Sequence, residues 1–230
     1  AQEMALVSVI MPALNEALSI ASSVERIPLD ELAILGYETE ILVVDNGSSD
    51  KSGELAQQAG AKVIPEPNRG YGNAYLAGFR EASGDIICTM DADGTYPPEI
   101  LPELVTMLID KDLDFINTDR FAFLSNGTMS RRNRWGNALL STASRVLFRI
   151  PFSDSQSGMW VFRAELLTRM RLRAKGMALS EEIKIEAAWR LKARCAEVPI
   201  HYKHRNGTSK LRVWRDGFGN LFHLARQRIN

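Results

Sequence analysis

The chain has 230 residues, 45% hydrophobic and 24% charged, with 28 Lys plus Arg balanced by 28 Asp plus Glu. That length supports a full core, the composition excludes an intrinsically disordered chain, and the zero net charge excludes a global field of either sign. No signal peptide and no apolar run of about 18 residues is read, so this chain by itself is not expected to cross a bilayer.

Val7-Ser8-Val9-Ile10-Met11 is a β-rich run ended by Pro12, after which Ala13-Leu14-Asn15-Glu16 leads into a helical pattern reaching Ile27. Glu40 to Asp45 repeats the plan: an apolar strand, a turn of cap residues from Asn46 to Asp50, and a helix through Ala59. Lys62-Val63-Ile64-Pro65 is a third strand, and Asn68-Arg69-Gly70-Tyr71-Gly72-Asn73 turns the chain into a helix ending near Ala82. The run from Ile86 to Met90 reads as a strand buried on both faces, stopped by Asp91-Ala92-Asp93-Gly94 and Pro97-Pro98. Strands alternating with helices predict an α/β fold with a mostly parallel central sheet, helices on both faces and ligands at the carboxyl ends of the strands. Asp45, Gly70, Gly72, Asp91 and Asp93 all fall at such ends, and that convergence points to a nucleotide site.

Gly70-x-Gly72 is not the dinucleotide fingerprint, because Tyr75 stands where the third glycine belongs. Paired carboxylates solve the same charge problem differently. If the backbone stays extended past Met90, side chains at i and i+2 point the same way, so Asp91 and Asp93 reach one oxygen-preferring divalent cation, Mg2+ or Mn2+, that bridges a diphosphate.

Further along, Arg131, Arg132, Arg134 and Arg145 accompany Trp135, Phe148 and an apolar helical face of Leu139, Leu140, Ala143 and Leu147. Guanidinium groups match phosphate oxygens, and such a helix suits a membrane surface with anionic headgroups. Glu181, Glu182 and Glu186 open and line a helix to Leu191, with Glu181 read as a first-turn charge favouring the helix dipole. His201, His204 and His223 show no zinc spacing. Cys88 and Cys195 sit in apolar stretches and read as core thiols of a reducing compartment.

From Arg190 onward, ten Lys and Arg residues face only Glu197 and Asp216, so an anionic partner is expected there. Trp214, Phe218, Leu221, Phe222 and Ala225 form one helical stripe, giving a basic amphipathic helix at the C-terminal end. No aromatic stacking platform or groove-reading motif accompanies these arginines, so nucleic acid is not an expected partner.

The segments Val9 to Glu16, Val43 to Asp50, Asn68 to Gly72 and Asp91-Ala92-Asp93 resemble, in order and spacing, the nucleotide-sugar domain of family 2 glycosyltransferases with the GT-A fold. Asp154-Ser155-Gln156-Ser157-Gly158 and Arg205-Asn206-Gly207-Thr208-Ser209-Lys210 resemble later motifs of the dolichyl-phosphate mannose synthase-like branch. The resemblance implies a catalytic domain over 1–211, its nucleotide-sugar half at 1–98 and acceptor half at 99–211, followed by the amphipathic helix at 212–230. It implies an inverting, metal-dependent transfer of a hexose, mannose or glucose, from a GDP- or UDP-sugar to a polyprenyl phosphate. The alternatives are the same donor with a soluble or glycan acceptor, and a catalytically silent nucleotide-binding module. A peripheral location on the cytoplasmic membrane face follows.

By the same resemblance, Pro12, Leu14, Asn15, Glu16, Asp45, Gly70, Gly72, Asp91, Ala92, Arg205 and Lys210 meet the donor. Asp91 and Asp93 hold the metal, Arg120 and Arg131 clamp the acceptor phosphate, and Asp154 is a base or a positioning group. Three positions depart from the family pattern. Asn46 replaces its second acid, leaving Asp45 for the base edge or ribose; Thr95 replaces a glutamine that helps hold metal; Met159-Trp160 follow Gly158 where an arginine is usual.

Overall fold

Alternation within the first strand sets the architecture. In the computed structural model, which describes residues 5–123 and 131–203 with the side chains of 131–133 left out, the chain opens with β1 (Ala5–Ala13), α1 (Ile20–Glu25), α2 (Leu29–Ile34), β2 (Tyr37–Asp45) and α3 (Ser52–Gln58). It continues with β3 (Lys62–Pro65), α4 (Tyr71–Glu81), β4 (Ile86–Thr89), α5 (Leu101–Asp110), β5 (Phe115–Asp119) and α6 (Arg131–Phe148). The last described elements are β6 (Trp160–Arg163), α7 (Glu165–Arg169), α8 (Leu179–Ile185), a π-helical turn Glu186–Arg190 and β7 (Cys195–Pro199).

β1 sends Val7, Val9 and Met11 to one side of the sheet and Ile10 to the other, all fully buried. A strand apolar on both faces needs cover on both. On the first face Val7, Val9, Met11, Val43 and Cys88 pack with Ile20 and Val24 of α1, Leu32 of α2, Ala56 of α3 and Leu104 of α5. On the second, Ile10, Leu42, Val44 and Ile87 pack with Ala74 and Tyr75 of α4, Phe148 of α6 and Leu179 and Ile183 of α8. Each fully buried aliphatic side chain contributes about 1.5–3 kcal/mol, so a one-residue slip of register, which would exchange the two sets, is strongly disfavoured.

Among the described residues the strands form one seven-stranded sheet of order β3-β2-β1-β4-β6-β5-β7. β1 is parallel to β2 and β4, β2 to β3, and β5 to β7, whereas β6 runs antiparallel to both neighbours. The expected mostly parallel sheet is therefore present, with one reversed strand that the alternation of strands and helices did not announce. The first helix starts later than its pattern suggested. Asn15 takes a left-handed φ of 51°, which Asn tolerates better than most residues, and the residues after it bond across to the β2–α3 turn. The expected C-terminal amphipathic helix at 212–230 lies outside the described residues, and no described helix is long and apolar enough to cross a membrane.

Candidate active site

The aspartate pair sits in a turn, which corrects the extended geometry expected for it. β4 ends at Thr89. Met90 N still bonds Ile10 O at 3.2 Å, but Ser19 Oγ and Ser23 Oγ then donate to Ala92 O at 2.9 and 3.3 Å. Asp93 Oδ1 accepts from Thr95 N at 3.1 Å and Thr95 Oγ1 at 2.6 Å. Local side-chain bonds to the backbone thus replace the strand ladder. Asp93 ends up buried and Asp91 half-buried, the latter accepting from Tyr71 OH at 3.3 Å. Thr95, where a metal-holding glutamine is missing, orients Asp93.

Both carboxylates act on one neighbour all the same. The Tyr202 hydroxyl is pushed above its ordinary pKa first by burial, which the Arg120 guanidinium opposes and the charges of Asp93 and Asp91 reinforce. Two hard oxygen donors suit Mg2+ or Mn2+, and Mg2+ is commonly held by one or two carboxylates with substrate phosphates completing its shell. Among the described residues no group of three or more His, Cys, Asp or Glu gathers into a metal site. Asp91 and Asp93 are oxygen donors of the kind that suits a cation bound together with a diphosphate.

Gly158 closes the site from the opposite strand. A Cβ there would lie 2.5 Å from Tyr71 Oη and 3.1 Å from Asp91 Oδ1, so only glycine lets the β6 entry pass this close to Asp91. Gly158 N donates to Tyr96 OH at 2.6 Å, and its carbonyl accepts from Thr89 Oγ1 at 3.0 Å and Tyr75 OH at 3.3 Å. Four residues upstream, Asp154 is fully buried and grips Arg120: Nε to Oδ2 at 2.6 Å, Nη2 to Oδ1 at 2.8 Å, with Arg120 N adding a bond of 3.1 Å. The guanidinium lies 5.5 Å from the Tyr202 ring centre, next to the phenol that both aspartates influence. Burial works against the Arg120 charge, but Asp154 more than compensates and holds its pKa well above the usual arginine value. Three of the bonds that the Asp154 carboxylate accepts come from Arg120, so it fixes the orientation of that guanidinium.

The donor-side motifs meet at the ends of β1, β2 and β3. Asn15 N donates to Ser48 Oγ and Asn15 Oδ1 accepts from Ser49 N at 2.7 Å, while Glu16 N donates to Ser52 Oγ at 2.7 Å. Asp45 Oδ1 accepts from Ser48 N at 2.9 Å, capping the turn. Pro12 and Leu14 are half-buried beside it. Asn46 explains its own departure from the family acid: Nδ2 donates to Glu66 O and Asn68 O at 2.9 and 2.8 Å, and Oδ1 accepts from Gly70 N at 2.7 Å. A carboxylate cannot donate those two bonds. Gly70 and Gly72 are filled from the protein itself, since a Cβ on either would lie 2.3 Å from Lys175 O or 2.1 Å from Ala174 O.

Leu139, Leu140, Ala143 and Leu147 of α6 fall within about 100° of one another on the helix surface, and that arc straddles the burial boundary: Leu140 is buried with Ser141, Ser144 and Phe148, whereas Leu139 and Leu147 are exposed. Glu181 stands in the first turn of α8, as expected, and is also buried, accepting from Ser144 Oγ at 2.9 Å and Ser155 Oγ at 3.1 Å. Glu182 Oε2 accepts from Arg173 N and Ala174 N, both at 2.8 Å, which seats the loop that covers Gly70 and Gly72. Arg131 starts α6, but its side chain lies outside the described residues, as do Arg205 and Lys210.

Sequence reasoning missed Lys184. Fully buried, its Nζ donates to Ser155 O and Ser157 O at 2.8 Å and to Ser180 O and Oγ at 2.9 Å, 4.9 Å from the Trp160 ring centre. It ties the Asp154–Gly158 turn to α8, and burial pushes its ammonium down to about 7. A lysine flanked by Ile183 and Ile185 was the available signal.

A β3-β2-β1-β4-β6-β5-β7 sheet with an aspartate turn leaving its fourth strand defines a GT-A domain. The family model for glycosyl transferase family 2 matches residues 8–171. The chain is 34% identical over 210 residues to a dolichyl-phosphate hexose transferase of Haloferax volcanii, covering 91% of this chain and 88% of that protein. It is 35% identical over 218 residues to a low-salt glycan biosynthesis hexosyltransferase of the same organism, covering 93% of this chain and spanning about half, 52%, of that protein's length. A dolichol-phosphate mannosyltransferase of Pyrococcus furiosus is 30% identical over 232 residues, covering 96% of this chain and 63% of its own length. Among solved structures, glucosyl-3-phosphoglycerate synthase of Mycobacterium tuberculosis superposes with a TM-score of 0.78 at 23% identity, over 97% of this chain and 80% of that one. Its complex with Mn2+, UDP and glucosyl-3-phosphoglycerate superposes at 0.71 and 25% identity, over 98% and 77%. The chain belongs to glycosyltransferase family 2.

Proposed function

We propose that the chain transfers a hexose from a nucleoside-diphosphate sugar to a polyprenyl phosphate at the cytoplasmic face of a membrane, with Mg2+ or Mn2+ at the donor diphosphate. The observation that carries this reading is the close passage of Gly158 beside Asp91, with Arg120 fixed by Asp154 four residues upstream of that glycine, so that the aspartate turn and a fixed guanidinium belong to one cluster. Asp91 and Asp93 would hold the cation. Bound there, it supplies Lewis-acid stabilisation of the charge that develops on the leaving diphosphate. Asp45 and the Asn15–Glu16 loop orient the nucleoside, with Arg205 and Lys210 adding positive charge on the donor.

Arg120, held by Asp154, and Arg131 bind the acceptor phosphate. A phosphomonoester already carries most of its charge near neutral pH, its second pKa being about 6, so the attacking oxygen needs no strong base. Asp154 accordingly serves as a positioning residue. The dolichyl-phosphate relatives support a lipid acceptor. The solved glucosyl-3-phosphoglycerate synthase in complex with phosphoglyceric acid favours a second reading, in which a soluble phosphorylated acceptor takes the same place.

Radiolabelled GDP- and UDP-hexoses incubated with Mn2+ and dolichyl phosphate separate the two. Label partitioning into organic solvent, lost in Asp93→Ala, supports the lipid reading. Label that stays aqueous with every lipid phosphate and appears on phosphoglycerate overturns it.

A further inference from the structure

We infer that Tyr71 is a positioning residue for the aspartate turn: its hydroxyl fixes the Asp91 carboxylate as Thr95 fixes that of Asp93. The strand ladder holds neither aspartate, since β4 ends at Thr89 and the last backbone bond to β1 is made by Met90 N. Asp93 Oδ1 instead accepts from Thr95 Oγ1 at 2.6 Å. Asp91 Oδ1 accepts from Tyr71 OH at 3.3 Å, from a residue 20 positions back along the chain. A phenol keeps its proton up to about pH 10, so at neutral pH the tyrosine donates and the carboxylate accepts. The inference rests on the proposed reading of Asp91 and Asp93 as cation ligands.

Three neighbours keep that hydroxyl in place. Tyr71 is the first residue of α4, and the 171–175 loop lies on this helix start: Asn73 N donates to Lys175 O at 3.1 Å, and a Cβ on Gly72 would lie 2.1 Å from Ala174 O. Glu182 and Glu186 hold the loop down in turn, accepting from Arg173 N and Ala174 N and from Arg171 N. One helical turn on, the Tyr71 ring meets the fully buried Tyr75 ring edge-on at 4.9 Å, and Tyr75 packs on Trp160 at 5.2 Å. The third neighbour is Gly158, whose N donates to Tyr96 OH and whose carbonyl accepts from Tyr75 OH and Thr89 Oγ1. A methyl on it would come within 2.5 Å of Tyr71 Oη and 3.1 Å of Asp91 Oδ1, so phenol, carboxylate and glycine meet at one point. A hydroxyl placed by a helix start, a ring contact and a strand entry sets the rotation of a side chain whose own backbone has left the sheet. Loss of a group that hydrogen-bonds a metal ligand typically weakens metal binding by about 10–100-fold.

The test uses the full chain and calorimetry of UDP and GDP, each with and without Mn2+, on wild type, Tyr71→Phe, Asp91→Asn and the double variant. Phenylalanine keeps the ring contact and removes only the hydroxyl. The gain in nucleotide affinity that Mn2+ brings to wild type is expected to fall by about tenfold or more in Tyr71→Phe, with the metal-free affinity unchanged. Electron paramagnetic resonance of Mn2+ in the presence of nucleotide should show the same loss without any turnover. In the Asp91→Asn background the tyrosine change should have no further effect, because the two residues act as one unit. A full Mn2+ gain in Tyr71→Phe, a loss of the same size without metal, or losses that simply add in the double variant overturns the inference. So does a Tyr71→Phe chain that fails to fold, which would assign the hydroxyl to stability. Wild type that gains nothing from Mn2+ sinks the cation reading and the inference with it, whereas a wild-type gain that Tyr71→Phe keeps sinks the inference alone.

Discussion

Removing Asp154 should cost more stability than removing both members of its pair. The carboxylate is fully buried and accepts four bonds, from Arg120 Nε, Nη2 and N and from Gln156 N. Its partner is only 7% exposed. Asp154→Ala therefore strands a buried guanidinium, and losses of this type run to about 3–5 kcal/mol. That is a large part of the roughly 5–15 kcal/mol that holds a typical domain together. Replacing both, as Arg120→Met/Asp154→Leu, removes the uncompensated charge and is expected to return to within about 1–2 kcal/mol of wild type. Urea unfolding followed by tryptophan fluorescence measures both, and a transfer assay on the recovered double variant measures what stability does not. The double variant should fold and fail to transfer, because the guanidinium is gone. A single variant within about 1 kcal/mol of wild type, or a folded double variant with wild-type turnover, would refute the reasoning.

Gly158→Ala should fold but lose metal-dependent nucleotide binding, since its methyl would lie 2.5 Å from Tyr71 Oη and 3.1 Å from Asp91 Oδ1 and displace both side chains; calorimetry of UDP and GDP with and without Mn2+ checks this. Asn46→Asp leaves Glu66 O and Asn68 O without their donor and should cost about 2–6 kcal/mol in urea unfolding, at about 1–3 for each acceptor left unmade. Lys184 links stability to pH. Its ammonium titrates near 7 in the folded chain and at about 10.4 when unfolded, so the unfolded state binds the extra proton between those values. This group's contribution rises with pH across that window and is gone once pH has fallen to about 7. Lys184→Met should flatten the slope between about pH 7 and 10, and an unchanged slope would count against the assignment.

The sequence announced those parts of the fold that depend on local pattern. Apolar, β-rich runs marked β1, β2, β3 and β4, and glycine and proline marked where the strands stop. The reversed direction of β6 was illegible because it depends on which edge a strand joins, a long-range choice. The aspartate pair was visible as a motif, but its turn was not, since Ser19, Ser23 and Thr95 compete for the backbone only once α1 is packed beneath it. Asn46 looked like a missing acid until its amide was seen to need both a donor and an acceptor. Lys184 was hidden by a general rule: charged residues are read as solvated faces, and only the packed α8 shows it buried among oxygen partners, as it shows the burial of Glu181 and Glu182, whose place on the helix was already legible.

The central claim is that Asp91 and Asp93 hold a divalent cation against the donor diphosphate. The most direct measurement is anomalous diffraction from crystals soaked with Mn2+ and UDP or GDP. One manganese peak bonded to Asp93, in contact with Asp91 and bridged to the diphosphate, is predicted. A nucleotide diphosphate bound with manganese elsewhere, or with both aspartates turned away from it, would contradict the claim.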